Sequence, residues 1–163
     1  MDRLWSPWRM EYIESARDGE PAGCVFCALL VGGDADGDRV LARDDFAFVT
    51  LAKYPYNPGH LLILPVRHSG DPEDLRDDEQ AAIDRMLRRS LRALRETAEP
   101  HGFNVGLNLG RAAGAGIPEH LHWHVVPRWG GDTNFMPVVG QTRVLPELLQ
   151  ESYAKLRPRF DGG

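Results

Sequence analysis

His120-Leu121-His122-Trp123-His124-Val125-Val126 alternates imidazoles with bulky apolar side chains. A period of two is that of an extended strand, so His120, His122 and His124 share one face and Leu121, Trp123 and Val125 the other. With roughly 3.3 Å of rise per residue, alternate side chains stand about 6.6 Å apart. A row of imidazoles backed by hydrophobic anchors points to phosphoryl or nucleotidyl chemistry, or to a metal site.

Working upstream, Gly110 to Gly116 reads as a glycine-rich loop and Asn104 to Leu109 as a strand. Before them, Asp77 to Ala98 is the longest helix candidate. Ile83, Met86, Leu87, Leu91 and Leu94 form its apolar stripe, Asp77 its cap and Pro100 its stop. His60 to Val66 is nearly all aliphatic and reads as a buried strand. Val40–Arg43 and Phe46–Leu51 read as a hairpin turning at Asp44-Asp45. Cys24 to Leu30 is a turn or short helix, and Leu4 to Ala16 carries Trp5, Trp8, Tyr12 and Ile13 at helical intervals. Downstream, Trp129 to Gln141 is a loop and Pro146 to Leu156 a final helix.

Strands joined by hairpins or a single helix, without repeating βα units, predict an α+β fold with a largely antiparallel five-stranded sheet. The long helix packs on that sheet, with helices at either end of the chain. A length of 163 residues suits one domain, with residues 1–20 as a helical extension and 158–163 as a flexible tail. The composition, 42% hydrophobic and 26% charged, excludes wholesale disorder. A net charge of −5 argues against a protein that coats nucleic-acid polymers, yet leaves room for a small anionic substrate. No signal-like segment or apolar run long enough for a bilayer is visible, so the expectation is a cytoplasmic protein without a membrane partner.

A neutral imidazole is a competent nucleophile at phosphorus. When a carbonyl holds its Nδ1–H, its Nε2 is presented for in-line attack. Aimed backbone amides in a glycine loop neutralise charge on the transferring group. The same three histidines could instead hold a hydrolytic metal with an open position. Cys24-Val25-Phe26-Cys27 supplies two soft ligands, half of a tetrahedral zinc site. Arg85, Arg88, Arg89, Arg92 and Arg95 give the long helix a basic face that solvation explains. Arg128 stands where it could meet a substrate phosphate.

The run 120–126 resembles the signature of the histidine triad nucleotide hydrolases and transferases, alternating histidines with apolar residues. The resemblance extends to Tyr54-Pro55-Tyr56-Asn57-Pro58-Gly59-His60, to 101–110, to 126–135 and to Leu4-Trp5-Ser6-Pro7-Trp8-Arg9-Met10. These are similar to the bacterial branch of diadenosine tetraphosphate phosphorylases and hydrolases. It implies that His122 takes the nucleotidyl group, that His124 contacts the phosphate and helps the leaving group, and that Asn108, Gly114, Ala115 and Gly116 bind substrate phosphates. It implies a homodimer, and a structural zinc held by Cys24, Cys27, His68 and His120, with no organic cofactor. The expected activity is cleavage of a dinucleoside polyphosphate at an α-phosphate, with transfer to water or phosphate. Alternatives are a nucleoside phosphoramidate or adenylyl-conjugate hydrolase and a non-catalytic nucleotide-binding module. Two positions depart from the family pattern. Ala52 stands where a ribose-binding Asn or Asp is usual, and Gly116-Ile117-Pro118-Glu119 lacks the usual hydroxyl or amide side chain.

Overall fold

A computed structural model of the chain describes residues 23–32, 39–132 and 147–161. The expected N-terminal helix with Trp5 and Trp8, and most of the loop after Trp129, lie outside them. Five strands form one sheet: β1 (Val40–Arg43), β2 (Ala47–Leu51), β3 (Leu61–Pro65), β4 (Gly102–Leu107) and β5 (Trp123–Arg128). Their order is β1-β2-β3-β5-β4, and every neighbouring pair is antiparallel. The described helices are α1 (Val25–Gly32), α2 (Asp77–Ala98) and α3 (Leu149–Leu156). The α+β architecture read from the sequence is the one found.

The β1–β2 hairpin turns at Asp44, whose Oδ1 accepts from the amides of Phe46 and Ala47, both at 2.8 Å. On α2, Ile83, Met86 and Leu94 are buried, with Leu87 and Leu91 partly so. Its start differs from expectation, because Arg76 rather than Asp77 is the cap residue. The Arg76 amide donates to Glu79 Oε2 at 2.9 Å. Arg67 clamps the same carboxylate, with Nε and Nη2 each 2.8 Å from one oxygen. The helix ends at Glu99, left-handed at φ 44°, directly before Pro100.

Some boundaries move for identifiable reasons. The histidine strand pairs only from Trp123, opposite Ile63 and Leu107, while the Leu121 amide leaves the ladder and donates to Ser69 O at 2.7 Å. His120 and His122 therefore lie on the approach to β5. The final helix begins at Leu149 rather than Pro146. Arg157–Phe160 forms a 3-10 turn with Phe160 buried in the main core, so the tail expected to be loose from residue 158 is packed through Phe160.

The sheet separates two apolar clusters. Ala47, Val49, Leu51, Leu61, Ile63 and Val125 face α2, with Trp123 packed against the same cluster. Phe48, Ala52, Leu62 and Leu64 face the other way and meet Phe26 and Leu29 of α1. His124 pairs with Leu62 and Gly106 and so belongs to this second face, since alternate residues share a side. The histidines and the long helix lie on opposite sides of one sheet.

Candidate active site and metal cluster

His122 sits on that second face, 6% exposed, with its ring 5.2 Å from those of Phe26 and His124. Its Nδ1–H donates to the carbonyl of His120 at 2.8 Å. The proton is thereby fixed on Nδ1, and the Nε2 lone pair becomes the reactive one. Burial pushes the His122 pKa below its ordinary value, partly opposed by the bond to His120. Burial favours the neutral ring, and the bond to His120 defines its tautomer.

His124 is held in the opposite sense. The Tyr56 amide donates to His60 Nδ1 at 3.1 Å, so His60 carries its proton on Nε2, which lies 3.0 Å from His124 Nδ1. His124 Nδ1 accepts that bond, and its own proton resides on Nε2. Tyr56 stacks on both rings, at 4.9 Å from His60 and 5.9 Å from His124. One buried imidazole thus makes its neighbour a hydrogen-bond donor. The sequence places His60 in a buried strand and at the end of the Pro58-Gly59-His60 segment of the resemblance, without a role of its own. The only signal in the sequence is a histidine following Pro58-Gly59; its pairing with His124 comes from the fold.

A cleft of about 440 Å³ opens beside His124, and its lining includes Tyr56, Asn104, Gly106, Asn108, Val126 and Arg128. Gly106 lies directly across from His124 in the ladder, and a Cβ there would meet nothing within 4 Å. The space beside the imidazole is open because that position has no side chain. The stretch from Asn104 to Asn108 lines it continuously, with Asn104, Gly106 and Asn108 as its small and polar members. His122 is outside this lining, with its ring 5.2 Å from that of His124.

Other expected residues divide. Asn108 reaches the cleft; Gly114, Ala115 and Gly116 are not part of its lining. The amides of Gly114 and Ala115 bond back to Arg111 O at 3.0 Å and Gly110 O at 3.2 Å, closing the turn. Arg128 is committed to Asp132 through Nε at 2.6 Å and Nη2 at 2.8 Å, and to Asn104 Oδ1 at 2.6 Å. That guanidinium holds the Asp132 carboxyl far below the usual carboxylate range. Asn57 adds a bond to Asp132 at 2.9 Å, so Arg128 braces the wall of the cleft. Ala52 is buried against Phe26 and Phe48.

Beside the histidines, Cys24, Cys27, His68 and His120 bring their ligand atoms within 4.8 Å of one another. His120 Nδ1 is 3.4 Å from Cys24 Sγ and 3.6 Å from Cys27 Sγ, and His68 Nδ1 is 3.5 Å from Cys27 Sγ. Tetrahedral zinc, with bonds of about 2.3 Å to sulfur and 2.0–2.1 Å to nitrogen, separates its donors by about 3.5 Å. His120 Nε2–H donates to Pro65 O at 2.9 Å, which turns the Nδ1 lone pair toward the sulfurs. Burial, then the neighbouring Cys24, push the Cys27 thiol upward; a divalent cation among these groups opposes both effects. The donors fit a metal, and the cluster includes His120 but neither His122 nor His124.

Among known proteins, the chain is 42% identical over 158 residues to an AP-4-A phosphorylase of Mycobacterium tuberculosis, covering 93% of this chain and 80% of the relative. Its fold matches a Zn-bound histidine triad family protein from Mycobacterium smegmatis with a TM-score of 0.67 and 32% identity. That match covers 85% of this chain and 93% of the other. A HIT family member from Bacillus subtilis matches with a TM-score of 0.60 and 28% identity, over 66% of this chain and 74% of the other. The HIT domain family model spans residues 35–131, taking in the cleft and the whole histidine run, and this chain belongs to the HIT family.

Proposed function

We propose that the protein is a nucleotidyl hydrolase or transferase that cleaves dinucleoside polyphosphates of the diadenosine tetraphosphate type at an α-phosphate. The observation that carries this reading is the opposed pair of tautomers. His122 presents a lone pair at Nε2, and His124, 5.2 Å away, presents a proton. His122 Nε2 attacks the α-phosphorus, a P–N bond forms, and the P–O bond to the departing nucleotide breaks. His124 Nε2–H stabilises charge on the phosphate and the leaving oxygen. Water or inorganic phosphate then attacks the same phosphorus, breaking the P–N bond and freeing His122. The AP-4-A phosphorylase relative supports the substrate class.

Asn108 is the proposed phosphate ligand from the cleft wall. Gly116 contributes from the loop, whose shape Gly114 and Ala115 set by closing the turn. Cys24, Cys27, His68 and His120 hold zinc, which serves as a cross-link between α1, the exit of β3 and the histidine segment. The Zn-bound relative from Mycobacterium smegmatis supports the choice of metal. A second copy of the chain adds at β4, one of the two outer strands of the sheet, where Val105 is 45% exposed. A reducing cytoplasm suits two thiols retained as metal ligands. No described helix is long and apolar enough to cross a membrane.

The test is incubation with diadenosine tetraphosphate in phosphate and in phosphate-free buffer, with product analysis and acid-free quenching to trap the adduct. ADP with ATP identifies phosphorolysis, and AMP with ATP identifies hydrolysis. Tight binding with neither product overturns the enzymatic reading, and turnover without any adduct at His122 overturns the mechanism.

A further inference from the structure

The outward side of α2 carries a group of arginines for which the histidine cleft has no use. Arg85, Arg88, Arg89 and Arg92 meet Arg43 from the end of β1 and Arg159 from the C-terminal turn around a concavity of about 550 Å³. This concavity lies on the helix side of the sheet, away from His122 and His124. Three separate segments therefore direct guanidinium groups to one place in a chain whose net charge is −5.

Local carboxylates offset only part of that charge. Arg85 lies 3.4 Å from Asp44, Arg159 lies 3.4 Å from Glu96, and Arg88 lies 2.9 Å from Asp84. Among the described residues, Arg43, Arg89 and Arg92 have no carboxylate partner. Arg43 donates to Leu30 O at 3.2 Å, and Arg89 donates to Phe160 O and lies over the Phe160 ring at 5.3 Å. Arg89 is thus fixed in place with its charge unbalanced, and exposed Arg92 stands one turn along the same helix.

We propose that this arginine cleft binds a small polyphosphate anion at a site separate from the histidine cleft. Planar guanidinium forks match pairs of phosphate oxygens, and several converging forks suit a chain of linked phosphates better than one orthophosphate. Among the described residues no aromatic side chain lines the concavity, so the phosphate chain rather than a stacked base supplies the recognition. A long nucleic acid is disfavoured by the acidic balance of the chain as a whole. Inorganic polyphosphate and the phosphate tail of a free nucleotide share the necessary chemistry.

Calorimetric titration of the full chain with inorganic tripolyphosphate in about 0.15 M salt tests the proposal, since screening at that strength suppresses diffuse attraction. Arg43→Gln combined with Arg92→Gln removes two exposed guanidiniums that carry no core packing. The expected result is a class of tripolyphosphate sites weakened at least about tenfold in the double variant, with turnover at the histidine cleft unchanged. If the double variant melts early, Arg92→Gln alone provides the same comparison. A parallel titration with ATP separates the two sources. Equal affinities assign the site to the phosphate chain, and tighter ATP binding assigns it to a nucleotide. Absence of tripolyphosphate binding, identical binding by variant and native protein, or loss of turnover in step with binding would each overturn the proposal.

Discussion

The use of an imidazole at phosphorus depends on which nitrogen carries its proton, and local partners settle this for His60, His120, His122 and His124. The carbonyl of His120 sets His122, the Pro65 carbonyl sets His120, the Tyr56 amide sets His60, and His60 sets His124. His122→Ala is expected to lower kcat/KM by at least about 10³-fold with the fold intact, and His124→Ala by about 10²-fold, measured by steady-state turnover. Gly106→Val tests the cleft separately from its chemistry. Because a Cβ at this position meets nothing within 4 Å, the variant should melt like the parent. Its side chain occupies the space across from His124, so substrate binding should weaken about tenfold or more in direct titration. An unchanged affinity would place the substrate elsewhere.

Among the elements, α2 was the most legible, because its 3.6-residue apolar period extends over 22 residues and a proline follows its end. Its first turn was misread because the decisive group, Glu79, lies inside the helix and is fixed by Arg67 from beyond β3. No local pattern reveals that partner. The hydrogen bond from Arg67 is the main cause holding the Glu79 pKa at about 2, against an ordinary 4.5. A carboxyl depressed on folding contributes its stability in full above pH 4.5 and loses it as the pH falls toward 2. Glu79→Gln should therefore cost roughly 2 kcal/mol at neutral pH and flatten the acid limb of a stability profile from chemical denaturation. The alternation correctly predicted which side chains share a face from Trp123 onward, within the paired strand. The start of β5 was hidden because it depends on where β3 and β4 end, a non-local fact.

For the molecule as a whole, the four-residue cluster joins segments 96 positions apart in sequence, from Cys24 to His120. Cys24→Ser, or prolonged chelation, is expected to remove the proposed zinc and lower the melting temperature, at about 2–4 °C for each kcal/mol lost. The fraction that remains folded should keep its turnover. Immediate loss of chemistry in a fully folded sample would instead make the metal part of the reaction. The cluster was legible through the resemblance, which paired Cys24 and Cys27 with two distant histidines; spacing alone gave half a site. The commitment of Arg128 to Asp132 was invisible, because it depends on how the chain turns after β5.

One layer of backbone separates the histidines from the helix-facing core, and neighbouring residues in β5 serve opposite sides of it. Loss or gain of a single codon between Trp123 and Arg128 would rotate the remainder of the strand by half a pleat. Val125 would then enter the histidine face while an imidazole entered the hydrocarbon beneath α2. Insertions here are therefore expected to arise in pairs or not at all, whereas the outer loops can change length freely.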